Sequence, residues 1–474
     1  MKTRVTIRKK IPAQLRFRGM DMRFLLLMFY FSFFALQSFA QTDCKQMHKA
    51  AKKETIYGIA QQYGITQAEL IAANPILAEK GLKKGQMLCI PYSSAEIEAA
   101  RQEAEAKAEA ERVAQIQHFT TIKVAVILPF ALNKSKPTEE AQKMLDFYEG
   151  ILLTADSLKK AGVNLDLLVL DEGSADASAV HQALQHSALP DVNLIIGPGR
   201  TANVNAVAAF AQQHQIPLVI PFANSENIIG GRPYVLQCNT GHATHYQKVV
   251  NRIAARHSSD NIIFVDMTEK PGTDAYIGDL IKVLDAKGIA HDRVALADMD
   301  EKLAGMMTAS KNNLFIPTSS AAGCFDMLCL KLNDLNVAAT NKIQLIGSPE
   351  WQTLSSKSQK NMYKYSATYF ATFFTNTLST RTQKFCRDFE QSFGHQQVGS
   401  YPRYGEMGHD ISAFFLTAMQ RYGTHFLDHI QQHDFNSLQL PLHFVRKDEQ
   451  SGYANTATYV IYYKPEGDVI LTTF

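Results

Sequence analysis

The residue types able to carry chemistry are spread thinly along this chain of 474 residues. His409-Asp410 has the order of two members of a nucleophilic triad, but no serine lies on a recognisable elbow to complete it. The expected role of Asp410 is capping or packing within its own helix. No His-Glu-x-x-His occurs, and the fifteen histidines are scattered without ligand spacing, so no metal, cofactor or catalytic residue is expected. The loop Gly197-Pro198-Gly199-Arg200-Thr201 is the best candidate for ligand contact. Small residues followed by a hydroxyl at a helix start can cradle a carboxylate. It is no phosphate loop, because the Gly-Lys-Ser/Thr ending is missing. Six cysteines complete the inventory. Cys44 and Cys89 flank one small unit near its two ends and are the expected disulfide. Cys324 and Cys329, five apart in a helix-like stretch, point to different faces; with Cys238 and Cys386 they read as structural.

The elements that must position these residues begin after an export signal. Arg23 precedes an apolar run from Phe24 to Leu36, followed by Gln37-Ser38-Phe39-Ala40, a basic flank, apolar core and small-x-small ending. Residues 1–40 are therefore expected to be a signal peptide cut after Ala40, with translation starting at Met1, Met20 or Met22. The run is short for a membrane span. Gln41-Thr42-Asp43 ahead of Cys44 lacks the small residues of a lipidation site. An extracytoplasmic body, in the periplasm or cell envelope, permits disulfides. The formal charge of +3 includes +7 from residues 1–40, leaving the body at −4, with no electrostatic footprint for nucleic acid.

Residues 44–92 read as β-α-α-β. Thr55 caps a helix carrying Ile56, Ile59, Ala60 and Tyr63, and Gly64 ends it. Thr66 and Glu69 form a capping box for a second helix, which Asn74-Pro75 stops. Gln86 to Ile90 is a strand able to pair with residues 46–51. The blocks Thr55-Ile-Tyr-x-Ile-Ala60, Tyr63-Gly-Ile-Thr66, Leu70-x-x-x-Asn74-Pro75 and Gly81-Leu-x-x-Gly85-Gln-x-Leu-x-Ile-Pro91 resemble the LysM domain, with Lys53 standing where that family usually has glycine. The resemblance implies binding of N-acetylglucosamine-containing glycans, chiefly peptidoglycan, in a shallow groove. Glu54, Thr55 and Ile56 would form one wall and Asn74, Pro75, Ile76 and Leu77 the other.

Residues 93–118 are rich in Ala, Glu, Lys and Gln, free of Gly and Pro, and open on the capping-box spacing Ser93–Glu96, which predicts a charged helical linker. From residue 119 to 474 strands and helices alternate. The run Ile122–Phe130 suits a parallel strand buried on both faces. Further strands are expected at 165–170, 192–196, 217–221, 262–265, 293–296, 313–316 and 343–346, with helices between. This alternation predicts a doubly wound α/β architecture in two lobes.

Lys123-Val-Ala-Val-Ile-Leu-Pro-Phe130, Ile195-Ile-Gly-Pro198, Ile216-Pro-Leu-Val-Ile-Pro-Phe222, Ile346-Gly-Ser-Pro349 and Tyr404-Gly-x-Met-Gly-His-Asp410 resemble the type 1 periplasmic binding proteins, in the branched-chain amino-acid receptor branch of ABC transport. The resemblance implies chain crossings between lobes near 240, 372 and 430. It also implies a ligand cleft drawing on Pro129, Phe130, Gly197, Thr201, Ala223, Asn224 and Ser225, the last four residues meeting an amino acid's charged ends. Arg200 beside Thr201 departs from the pattern, as does the want of an acidic partner for an amino group. The expectation is a non-catalytic envelope protein that binds peptidoglycan and carries a solute-binding-like domain for an amino acid or wall-derived ligand. The alternative is a protein–protein adaptor regulating peptidoglycan synthesis on the same fold.

Overall fold

The computed structural model describes residues 44–474 apart from 115, 133–134, 174–176, 226, 268–274 and 337–340. They fall into two compact units, one up to residue 115 and one from residue 116. The expected signal peptide and its cleavage site lie outside the described residues. Among the described residues no helix is long and apolar enough to cross a membrane.

The first unit pairs β1 (Cys44–Lys49) antiparallel with β2 (Met87–Pro91), His48 opposite Leu88. Between them lie α1 (Ile56–Gln62), α2 (Gln67–Ala73) and a five-residue α3 (Ile76–Lys80), the last not foreseen from the sequence. Thr55 caps α1 by accepting from the Gly58 amide, and Thr66 with Glu69 forms the full capping box of α2. Ile59, Leu70, Leu77, Leu88 and Ile90 make one small core. A core this size is marginal by itself, and the Cys44–Cys89 disulfide closes the unit end to end. Asn74 locks α2 to β2, its amide donating to the Leu70 and Cys89 carbonyls and accepting from the Cys89 amide. Lys53 makes its turn at φ 77°, a left-handed conformation that suits glycine better. Helix α4 (Ser94–Ala114) follows, opened by reciprocal hydrogen bonds between Ser93 and Glu96.

The second unit holds two seven-stranded sheets. In chain order its elements are β3 (Ile122–Leu128), α5 (Glu139–Lys160), β4 (Leu165–Asp171), α6 (Ala177–Leu184), β5 (Leu194–Ile196), α7 (Val204–His214), β6 (Leu218–Ile220), β7 (Val235–Gln237), α8 (His242–Arg256), β8 (Asn261–Asp266) and α9 (Ala275–Ala286). There follow β9 (His291–Ala295), α10 (Met299–Met306), β10 (Asn312–Pro317), α11 (Ala322–Asp334), β11 (Lys342–Gly347), α12 (Ser356–Lys364), β12 (Thr368–Ala371), α13 (Thr380–Phe393) and α14 (Tyr404–Tyr422). The chain closes with α15 (Phe426–His429), β13 (Phe444–Arg446), β14 (Tyr453–Asn455), β15 (Tyr459–Tyr463) and β16 (Val469–Thr473).

The first lobe's sheet runs β13-β14-β7-β6-β5-β3-β4 and the second lobe's β16-β15-β12-β11-β10-β8-β9. Each has a parallel centre and an antiparallel edge. The apolar runs are continuous because both sheet faces are covered. Val124, Val126 and Leu128 face α5 and α14, while Ala125 and Ile127 face α7. In the second lobe Ile263 and Val265 pack with α11, and Ile262 and Phe264 with α8 and α9. The strand order reverses between β3 and β5 in one lobe and between β8 and β10 in the other, so ligand-binding loops are expected beside those pairs.

The chain crosses between lobes at 238–241, at 372–379 and at 456–458. The third crossing corrects the expectation of 430. Strands β13 and β14 return to the first sheet, β14 pairing parallel with β7, before the chain leaves for β15. The crossings are cross-linked. Thr240 Oγ1 donates to the Ala457 carbonyl at 2.9 Å, and Asn455 Nδ2 to that of Cys238 at 2.7 Å.

Candidate functional site

In the first unit the two sequence-predicted walls divide by accessibility. Thr55, Pro75 and Ile76 are exposed, Glu54 and Ile56 half-buried, and Asn74 and Leu77 buried. Ile76 stands out as an apolar side chain 48% exposed at the start of α3, with Tyr57 exposed in the first turn of α1. The polar frame behind them was not read from the sequence. His48 lies 2.9 Å from the Tyr63 hydroxyl through Nδ1 and 3.0 Å from Glu54 Oε2 through Nε2. The same Glu54 oxygen accepts from the Ala51 amide at 2.6 Å. That amide first, and His48 second, hold the Glu54 carboxyl below its usual range. Glu54 thus shapes the β1–α1 turn, while Asn74 fixes the chain ahead of α3 from within.

In the second unit all seven cleft candidates lie at the carboxyl ends of β3, β5 and β6 in the first lobe, grouped beside the switch point as doubly wound topology requires. Pro129, Gly197 and Ala223 are buried, Phe130 half-buried, and Thr201, Asn224 and Ser225 exposed. Gly197 has no room for a side chain: a Cβ there would stand 2.2 Å from the Ile127 carbonyl oxygen. Asn224 Nδ2 reaches His242 Nε2 at 2.9 Å, linking the loop after β6 to the first residue of α8 in the second lobe.

Four amide donors at this switch point, those of Phe130, Ala131, Leu132 and Arg200, are bonded to the protein's own carboxylates. Asp171, ending β4, accepts from the amides of Phe130 (3.0 Å), Ala131 (3.3 Å), Leu132 (2.9 Å) and Gly173 (2.9 Å). Ala131 sits at φ 53°, which turns successive amides toward that one carboxylate. Next to it the fully buried Glu172 accepts from the Arg200 amide at 2.9 Å and from Asn203 Nδ2 at 2.9 Å. Burial pushes the Glu172 carboxyl up to about 7, against the pull of Asn203 and the Arg200 amide. The Arg200 guanidinium is spent too: it forms a fork on Glu140, at 3.0 and 2.5 Å, and donates to the Gly173 carbonyl at 2.7 Å. The loop expected to cradle a ligand carboxylate therefore holds the protein's own Glu172, and the neighbouring loop after β3 holds Asp171. The sequence signal was the adjacent pair Asp171-Glu172 at the end of a predicted strand, next to the reversal in strand order.

The His409-Asp410 pair is structural. His409 Nδ1 lies 2.9 Å from Thr154 Oγ1, and burial lowers its pKa to about 4. Asp410, wholly buried, accepts from the amides of Leu438 (2.7 Å), Gln439 (2.7 Å) and Leu440 (2.9 Å). Burial raises its carboxyl to about 7. Gln439 in turn holds the second crossing, its carbonyl accepting from the Phe374 amide and its Oε1 from Thr375 Oγ1. Cys238, Cys324 and Cys329 are buried free thiols, and Cys386 is a half-buried one.

Two doubly wound lobes joined by three crossings, with loops converging at the strand ends, define a binding protein of the periplasmic type. The comparison with known families agrees. The periplasmic binding protein profile matches residues 121–468, and this chain belongs to that family. The LysM domain profile matches residues 48–91. No curated relative matches the chain by sequence. Among solved structures, a protein described as a branched-chain amino-acid ABC transporter from Rhodospirillum rubrum is 15% identical, with a TM-score of 0.50. That match covers 74% of this chain and 100% of the other, and it shows a shared fold. A branched-chain amino-acid ABC transporter periplasmic ligand-binding protein from Burkholderia xenovorans is also 15% identical, covering 75% of this chain and 95% of its own, at a TM-score of 0.45.

Proposed function

We propose that this is an exported, non-catalytic cell-envelope protein that holds N-acetylglucosamine-containing glycan, chiefly peptidoglycan, through residues 44–92. A charged helix over 93–118 joins that module to the two-lobed binding domain of 119–474. The observation that carries the reading is the LysM match over 48–91, on a unit of two strands and three helices whose two proposed recognition loops lie at the starts of α1 and α3. Thr55, Ile56, Pro75 and Ile76 present the contact surface, with Glu54, Asn74 and Leu77 setting its shape. Sugar rings offer apolar faces, so the exposed Ile76 contributes packing that a charge would destroy. Cosedimentation with peptidoglycan sacculi tests this. Ile76→Asp is expected to weaken binding at least tenfold, with the unit still folded because Ile76 lies outside its core.

For the large domain, a specific observation favours the adaptor reading over an amino-acid receptor. The amides of Phe130, Ala131, Leu132 and Arg200, which would meet a ligand carboxylate beside Thr201, Ala223, Asn224 and Ser225, are bonded to Asp171 and Glu172. A ligand present at a hundred times its Kd adds about 2.7 kcal/mol of stability. Free amino acids at millimolar concentration are expected to leave the unfolding temperature unchanged. A saturable upward shift with any of them would instead support an amino-acid ligand in the cleft.

A further inference from the structure

We propose that Asp146, Glu149 and His395 form a binding site for a divalent transition-metal ion of the Zn2+ type. Asp146 and Glu149 stand three residues apart on one face of α5, and His395 reaches them from the turn after α13. One ligand atom from each lies within 4.8 Å of the other two. Tetrahedral ligands at 2.0–2.2 Å from zinc are about 3.4 Å apart, so binding needs a closure of at most about 1.4 Å.

His395 Nδ1 donates to the Gln396 carbonyl at 3.1 Å, which leaves Nε2 directed at Glu149 Oε1, 3.2 Å away. In the neutral ring that places one lone pair against another. The second Glu149 oxygen, on a residue only 7% exposed, has no hydrogen-bond partner among the described residues. A buried carboxylate oxygen without a donor is costly, and a bound ion removes the cost. Asp146, also buried, accepts from the Val398 amide at 2.7 Å, the kind of contact that orients a metal-ligating carboxylate. The Nδ1-to-carbonyl bond does the same for the imidazole. Two carboxylates and one imidazole, with water completing the shell, suit Zn2+ better than Ca2+ or Mg2+, which take oxygen ligands. No spacing along the sequence announces the site, because 146–149 and 395 are brought together only by the packing of α5, α13 and α14.

The competing occupant is a proton, which would make His395 and Glu149 an ordinary ion pair. Calorimetric titration of the chelator-treated intact protein with zinc sulfate at neutral pH separates the two. Wild type is expected to bind one equivalent of Zn2+ more than His395→Ala or Glu149→Gln, or to bind that equivalent at least tenfold more tightly. It is also expected to show a zinc-dependent rise in unfolding temperature that EDTA reverses. His395 is exposed, and besides the two carboxylates it meets the Gln396 carbonyl and the Phe389 ring, so His395→Ala is expected to keep its fold whatever becomes of Glu149→Gln. Equal stoichiometry and affinity in wild type and His395→Ala would overturn the assignment and leave the ion pair.

Discussion

Gly408→Ala is expected to destabilise the large domain by about 3 kcal/mol or more, whereas the same substitution at Gly278 stabilises it by up to about 1 kcal/mol. Helices α5 and α14 cross with their backbones in contact. A Cβ on Gly408 would stand 1.9 Å from the Phe147 carbonyl oxygen, and one on Gly150 would stand 2.0 Å from that of Gly405. No rotamer change relieves a clash of Cβ with backbone, so the helices must separate and unpack Phe147, Met407 and Ile411 from the first-lobe sheet. Gly278, in α9, has open space where its Cβ would lie, and there alanine only lowers the entropy of the unfolded chain. Paired thermal or urea unfolding of the two variants checks both signs, and equal effects would show that the crossing is looser than described.

Asp410→Ala is expected to remove about 2–4 kcal/mol and to loosen the junction between lobes. Three buried amides, of Leu438, Gln439 and Leu440, lose their acceptor together. Gln439 then no longer holds Phe374 and Thr375 in the second crossing. The pH dependence has a definite sign. The folded carboxyl titrates at about 7, above the 3.8 of an ordinary aspartate, so between those values the folded state holds a proton that the unfolded state has released. Stability from this group falls as pH rises from about 4 to about 7 and is level above that. Glu172, likewise at about 7, contributes in the same direction. Because His409 and His245, lowered to about 4, work in the opposite direction below about 6.5, the expected result is a difference: from pH 5 to pH 8 the urea midpoint of wild type falls relative to that of Asp410→Ala. An unchanged slope would assign the pH dependence elsewhere.

Much of the architecture could be read from local pattern. The run 124–130 is apolar at every position because α5 and α14 cover one face and α7 the other. Thr66 with Glu69 and Ser93 with Glu96 cap where their spacing says they should. Whatever depends on distant segments was hidden. The three-residue strands β13 and β14 are too short to show a period, and only the pairing of β14 with β7 reveals that the chain returns to the first lobe before its last crossing. The loops after β3, β5 and β6 group at the strand ends beside the switch point. That Asp171 and Glu172 occupy their donors follows from β4 lying beside β3, a tertiary fact. Asn74 carried a double reading as cap and glycan contact, and its burial against Cys89 gives it the role of clamp.

Attachment to the cell wall is the step on which the functional reading depends. Equal amounts of the intact protein and of a form beginning at residue 119 should be spun with purified peptidoglycan sacs and the bound fraction measured. The account predicts that the intact protein pellets, that the shortened form stays in the supernatant, and that soluble N-acetylglucosamine oligomers release the intact protein. Equal pelleting of the two forms would contradict it.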